Sequence, residues 1–147
     1  MLILGTRGGP GASACLLIFN EIDVDWSKPV TLCEGVFDMF KCGENAIPML
    51  GSSLNEESRL FNMIIAHSTP VLLALDSDMR HTKVPKIAKK LGEYSVDVSI
   101  VDLQGNSDPG SMSRVDVKRC IQDAKPFQWV DLFASKLQRA TRTSLVL

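Results

Sequence analysis

Apolar and polar positions change their spacing several times along the chain, and each change marks an element. "VTLCE" (30–34) is short, apolar and β-prone, as a buried strand should be, and Gly35 breaks it. In "VFDMFKCG" (36–43) apolar residues fall at 36, 37, 39 and 40 and a glycine closes the run, which predicts a short helix and its C-cap. "AIPML" (46–50) predicts a second short strand, placed near an edge by Pro48. Ser53-Leu54-Asn55-Glu56 has the Ser-x-x-Glu spacing of a capping box. A helix is therefore expected from there to about His67, with Leu60, Met63 and Ile64 at helical spacing beside Phe61 and Ile65.

"PVLLALD" (70–76) is the strongest strand signal in the chain. "KVPKIAKKLG" (83–92) predicts a helix that tolerates Pro85 because it lies in the first turn. "SVDVSIVDL" (95–103) predicts a strand, "QGNSDPGS" (104–111) a loop, and "SRVDVKRCIQDA" (113–124) a helix capped by Ser113. After Pro126, "FQWVDLFASKLQRA" (127–140) predicts an amphipathic helix whose Trp129, Leu132, Phe133 and Leu137 pack on the domain or on a partner. Upstream, "GTRGGPGAS" (5–13) reads as a flexible loop without the lysine a phosphate loop needs, and "ACLLIFNEI" (14–22) as a strand or short helix. The chain thus divides into an N-terminal extension (1–27), a central domain (28–125) and a C-terminal helix and tail (126–147).

Strands alternating with helices predict an α/β fold: a mainly parallel central sheet of about four strands with helices on both faces. In such sheets ligands bind off the carboxyl ends of the strands, so the strand ends are the places to look for chemistry. Three of them lead into acid. Glu34 follows the first strand, Asp76 and Asp78 follow the third, and Asp108 lies in the loop after the fourth. If the third strand continues through Ser77, Asp76 and Asp78 point the same way. Two carboxylates aimed together repel unless a cation sits between them, and oxygen-only ligands favour Mg²⁺ or Mn²⁺. Alone, Asp-Ser-Asp suits a helix cap as well as it suits a metal site. An EF-hand is excluded, because Arg80 and His81 stand where that loop needs Asp or Asn and then Gly.

Composition narrows the setting. The 147 residues suit one domain, and 45% hydrophobic with 22% charged residues is a globular mixture. A net charge of −1 offers no global basic field for nucleic acid. Cys15, Cys33, Cys42 and Cys120 form no CxxC pair and His67 and His81 stand apart, so a structural zinc site is not expected. Unpaired cysteines and the lack of an apolar run of about 18 residues point to a cytoplasmic protein, in the host cytoplasm if viral, with no membrane. Lys83, Lys86 and Lys90 share one helix face, which reads first as solvated surface.

In combination the acids are more specific. A strand ends in Glu34-Gly35 with Asp38 in "VTLCEGVFDMF". Asp76-x-Asp78 follows in "VLLALDSDMR", and Asp108-Pro109 in "SDPG". This order and spacing resembles the Toprim domain of DnaG-type DNA primases, bacteriophage-like in flavour, over roughly residues 28 to 125. The resemblance implies that Glu34, Asp76 and Asp78 are the catalytic, metal-binding acids and that Asp108 is a further ligand or supports one. It gives Gly35, Asp38, Arg80, His81 and Lys83 as substrate-contacting or supporting residues. It implies Mg²⁺ or Mn²⁺ as cofactor, single-stranded DNA template and ribonucleoside triphosphates as substrates, and a replicative helicase or other primase modules as partners.

The sequence departs from the family in two ways. Ser107 stands where many primases carry lysine, and the chain shows no zinc-ribbon module and little of the basic amino-terminal region, so it reads as a catalytic centre without its accessories. Toprim nucleases of the overcoming-lysogenization-defect or maturase class share the motifs, and a non-catalytic interaction subunit could keep the fold. A haloacid-dehalogenase-like phosphatase ranks lower. That family carries its Asp-x-Asp on the first strand with Thr or Val two residues later, and here the residue is Arg80.

Overall fold

The apolar runs that end in acid are interior strands of one sheet. In the computed structural model, residues 17–50, 54–106 and 108–130 are described, together with 133, 137, 140 and 141. The strands are β1 (Val30–Cys33), β2 (Ala46–Pro48), β3 (Val71–Leu73), β4 (Val98–Ile100) and β5 (Lys125–Pro126). The helices between and beside them are α1 (Val36–Cys42), α2 (Arg59–His67), α3 (Lys83–Glu93) and α4 (Arg114–Gln122). The spatial order is β2-β1-β3-β4-β5. The first four strands are parallel, and β5 runs antiparallel to β4.

Side-chain alternation explains how the sheet is covered on both faces. Val30 and Leu32 of β1, Val71 and Leu73 of β3 and Ile47 of β2 pack with Phe61 and Ile64 of α2 and Val84, Ile87, Ala88 and Leu91 of α3. The alternate residues turn the other way. Cys33 and Ala46 meet Met39 of α1, and Leu72 lies against the cluster that holds Val117 and Cys120 of α4. Strands buried on both faces read as continuous apolar runs, which is why the third run stands out in the sequence. Each fully buried Leu, Ile or Val contributes roughly 1.5–3 kcal/mol, so the interior strands hold the domain together.

Several boundaries differ from expectation. The second helix starts at Arg59 and is capped by Ser58, whose Oγ accepts from Phe61 N at 3.2 Å. Glu56 lies in a turn instead, because Asn55 Oδ1 accepts from Glu57 N and Asn55 O from Ser58 N, a local alternative to helix. Ser53, the expected cap, falls outside the described residues. The third strand stops at Leu73, short of the acids. The fourth begins at Val98, because Ser95 takes a left-handed conformation (φ 60°) that ends α3. Pro48 does sit on an edge strand. Ser113 does cap α4, accepting from Asp116 N at 3.1 Å.

The sequence did not announce β5. Two residues pair with Ser99 and Ile100, and Phe127 N donates to Val98 O at 2.8 Å, so the chain still belongs to the sheet at residue 127. At the other end, Ile18 and Val24 are part of the core. Residues 129, 130, 133, 137, 140 and 141 are helical, but Trp129, Phe133 and Leu137 are 47%, 66% and 67% exposed. Trp129 meets Phe127 edge to face, ring centroids 5.5 Å apart, and Phe127 packs on the core, whereas Phe133 and Leu137 leave most of their surface for the other expected packing, on a partner; Leu132 and the glycine-rich loop at 5–13 lie outside the described residues. Among the described residues no helix is long and apolar enough to cross a membrane.

Candidate metal centre

The sheet order reverses at β1 and β3: from β1 the chain steps to β2 on one side and returns to β3 on the other. The crevice outside the carboxyl ends of these two strands is where open α/β sheets bind ligands. Glu34 is the first residue past β1 and Asp76 the third past β3. The Glu34 backbone is fixed by the sheet edge, since its carbonyl accepts from Leu50 N at 2.9 Å. Leu50 takes a left-handed conformation there (φ 53°), rare for a bulky side chain.

Glu34 Oε1 and Asp76 Oδ1 are both buried atoms without a hydrogen-bond partner. The Lys83 ammonium lies 3.8 Å from Glu34 Oε1, an ion pair too long to be a hydrogen bond. Burial first, and then the charges of Glu34, Asp38, Asp108 and Asp78, push the Asp76 carboxyl up to about 6. The acids the sequence set 74 residues apart, 34 to 108, thus act on one another. Asp78 is exposed and has the smallest of these effects. The strand does not carry through Ser77. Asp76 O accepts from Met79 N and Arg80 N at 3.0 and 3.1 Å, so the chain coils into a turn and the expectation of two carboxylates in strand alternation fails.

Asp38 and Asp108 have a different environment. Asp38 Oδ2 accepts from Gly35 N at 3.1 Å, and Oδ1 from Gly110 N at 2.9 Å. Asp108 caps a 3-10 turn (Pro109–Ser111), its Oδ1 accepting from Ser111 N at 2.7 Å. A Cβ on Gly110 would lie 2.9 Å from Asp38 Oδ1 and 3.0 Å from Asp108 Oδ1, so only glycine lets both carboxylates approach this backbone. Two further ties bind α1 to α4 and its approach: Lys41 Nζ donates to Met112 O, and Arg114 Nε to Phe40 O, both at 3.0 Å.

The remaining expected residues scatter. Arg80 turns toward β4, donating to Asp102 Oδ1 at 3.2 Å and Val101 O at 3.0 Å. His81 is exposed. Gly35 is extended (φ −124°) and a Cβ there would make ordinary contact with Asp38, so the fold alone does not demand glycine. Ser107 lies outside the described residues. Cys33, next to Glu34, keeps its proton: a hydrogen bond with Cys42 and burial raise its pKa, so it offers no thiolate. Lys41, Gly110 and Asp102 were not singled out from the sequence. Only Gly110 left a signal, as the residue after Asp108-Pro109.

Among the described residues no group of three or more His, Cys, Asp or Glu is placed to hold a metal ion together. A complete protein cage is not required for Mg²⁺, which keeps several waters and is usually held by one or two carboxylates plus substrate phosphates. Two hard, buried carboxylate oxygens without a hydrogen-bond partner fit that requirement. The chain matches no protein-family model and no curated protein at a significant level.

Proposed function

We propose that the chain is the Toprim-type nucleotidyl-transfer core of a DNA primase, making RNA primers on single-stranded DNA with Mg²⁺ or Mn²⁺. The observation that carries this reading is the pair of buried carboxylate oxygens of Glu34 and Asp76, without a hydrogen-bond partner, at the sheet's switch point. A buried carboxylate without a donor costs free energy unless a cation completes it, and these two belong to the motifs that resemble the primase family. Glu34 and Asp76 would hold the metal. Asp78, exposed beside them, is free to reach it through water or to meet a second ion. Asp38 holds the last loop against α1 and Asp108 caps the turn within that loop, so the two shape the rim. A bound divalent ion would neutralise triphosphate charge and lower the pKa of a primer 3′-hydroxyl. Phosphoryl transfer relies chiefly on positioning and charge neutralisation, which suits a site of carboxylates on a rigid sheet.

The test is template-dependent incorporation of ribonucleotides, with Mg²⁺ and with Mn²⁺, by the wild-type chain and by Asp76→Ala. Loss of incorporation by at least about 100-fold in the variant is expected, the scale of losing an interaction made in the transition state. Incorporation unaffected by the change would overturn the assignment of the acids. Metal-dependent nicking of DNA or RNA without incorporation would select the nuclease reading instead.

A further inference from the structure

Lys83 opens α3, and its ammonium is the cation that faces Glu34 Oε1. Both side chains are mostly withdrawn from water, 22% and 19% exposed. At 3.8 Å the pair is electrostatic without a hydrogen bond, so the lysine offsets the carboxylate's charge and leaves its oxygen open as a ligand. Lys83 also lines a groove of about 610 Å³, together with Thr82, Lys86, Lys89, Lys90, Glu56 and Glu93. A four-carbon stem between an acidic crevice and an open groove has two places to put its charge.

We infer that Lys83 is a tethered counter-cation for Glu34, competing with a divalent ion for that carboxylate and withdrawing toward the groove when the ion binds. The inference rests on the proposed metal site. In the metal-free state Lys83 offsets part of the charge of Glu34, which otherwise acts in full on Asp76. Once a divalent ion takes over that task, a charge only a few ångströms away opposes it unless the lysine moves. The released ammonium then lies at the mouth of a lysine-lined groove, where a phosphate can use it.

The test is Mn²⁺ binding, followed by calorimetry and by the paramagnetic resonance of free Mn²⁺, for the wild-type chain, Lys83→Gln, Lys83→Arg, Glu34→Gln and the Glu34→Gln/Lys83→Gln double variant. Removing one positive charge beside the site should tighten Mn²⁺ binding about five- to tenfold. Lys83→Arg should bind as the wild type does. Glu34→Gln should weaken binding at least about tenfold, and Lys83→Gln should add little in that background, because its carboxylate target is gone. Lys83→Met, which keeps the apolar stem, replaces Lys83→Gln if circular dichroism shows that variant unfolded. Unchanged or weaker binding by the charge-free variant, with Glu34→Gln still impaired, overturns the role of Lys83 and leaves the metal site standing. No Mn²⁺ binding by the wild type or by the charge-free variant at millimolar concentration overturns both.

Discussion

Two pairs of acids line the same end of the sheet, and they differ in what their oxygens touch. Asp38 and Asp108 bond to backbone N–H groups: Gly35 and Gly110 bind Asp38, and Ser111 binds Asp108. Glu34 and Asp76 each bury an oxygen that no donor reaches. All four are carboxylic acids, so the difference lies in geometry. The Asp38–Asp108 side is built shut, one loop fastened to one helix. The Glu34–Asp76 side is held open by the sheet, and a lysine 3.8 Å from Glu34 answers part of its charge. An acid satisfied by backbone amides stabilises a fold, whereas one buried without a donor costs stability until a cation arrives. This separates acids that can bind a metal from acids that position the chain around it.

The largest stability effect should come from the satisfied pair. Asp38→Ala strands two backbone N–H groups at once and detaches the Pro109–Ser111 turn from α1. Hydrogen bonds to a charged acceptor are worth about 1.5–3 kcal/mol each and here share one side chain, so a loss of about 2–3 kcal/mol is expected in urea unfolding. A loss under about 0.5 kcal/mol would mean that this carboxylate is not structural and would erase the contrast. Gly110→Ala probes the same fastening from the other side. Its Cβ would stand 2.9 and 3.0 Å from the two carboxylate oxygens, and one of them must give way. A cost of about 1–2 kcal/mol is expected, with the Asp38→Ala/Gly110→Ala double variant losing less than the sum of the singles.

The pattern of strands, the helices over 36–42, 83–93 and 114–122, and the acids at the strand ends were readable because strands buried on both faces leave uninterrupted apolar runs. What failed was local. Asn55 bonds its own following amides and so delays α2 to Ser58, although Ser53 and Glu56 have the spacing of a cap. The turn at Asp76 replaces the strand that period-two reasoning extended through Ser77, because Asp76 O takes two backbone donors. A two-residue strand such as β5 has no period to detect. At the site, spacing marked which residues carry charge but not which oxygens would be used. Asp38 looked like support for the cluster, and its pairing with Gly110 72 residues away depends on a contact no local pattern encodes. The turning of Arg80 toward Asp102 is of the same kind.

The smallest effect carries the sharpest sign. Asp76 titrates near 6 in the folded chain against 3.8 ordinarily, raised first by burial and then by its acidic neighbours. Below about pH 3 it is protonated folded or unfolded and contributes nothing, and most of the penalty develops above pH 4. Between about 4 and 6 the folded state still holds the proton that the unfolded chain has lost, so stability falls as pH rises through that window. Above 6 the penalty is complete. Asp76→Asn removes the charge and should therefore be more stable than the wild type at pH 7.5, by about 1 kcal/mol after allowing for solvent screening, or about 3 °C in Tm. Below about pH 3 the two should melt together. Adding Mn²⁺ at pH 7.5 should raise the wild-type Tm and leave that of the variant almost unchanged, so the gap closes or reverses. An Asp38→Asn control should show no such gain, since its carboxylate is already satisfied by two amides. Equal pH profiles for Asp76→Asn and the wild type would place Asp76 with the satisfied acids and leave Glu34 alone at the crevice.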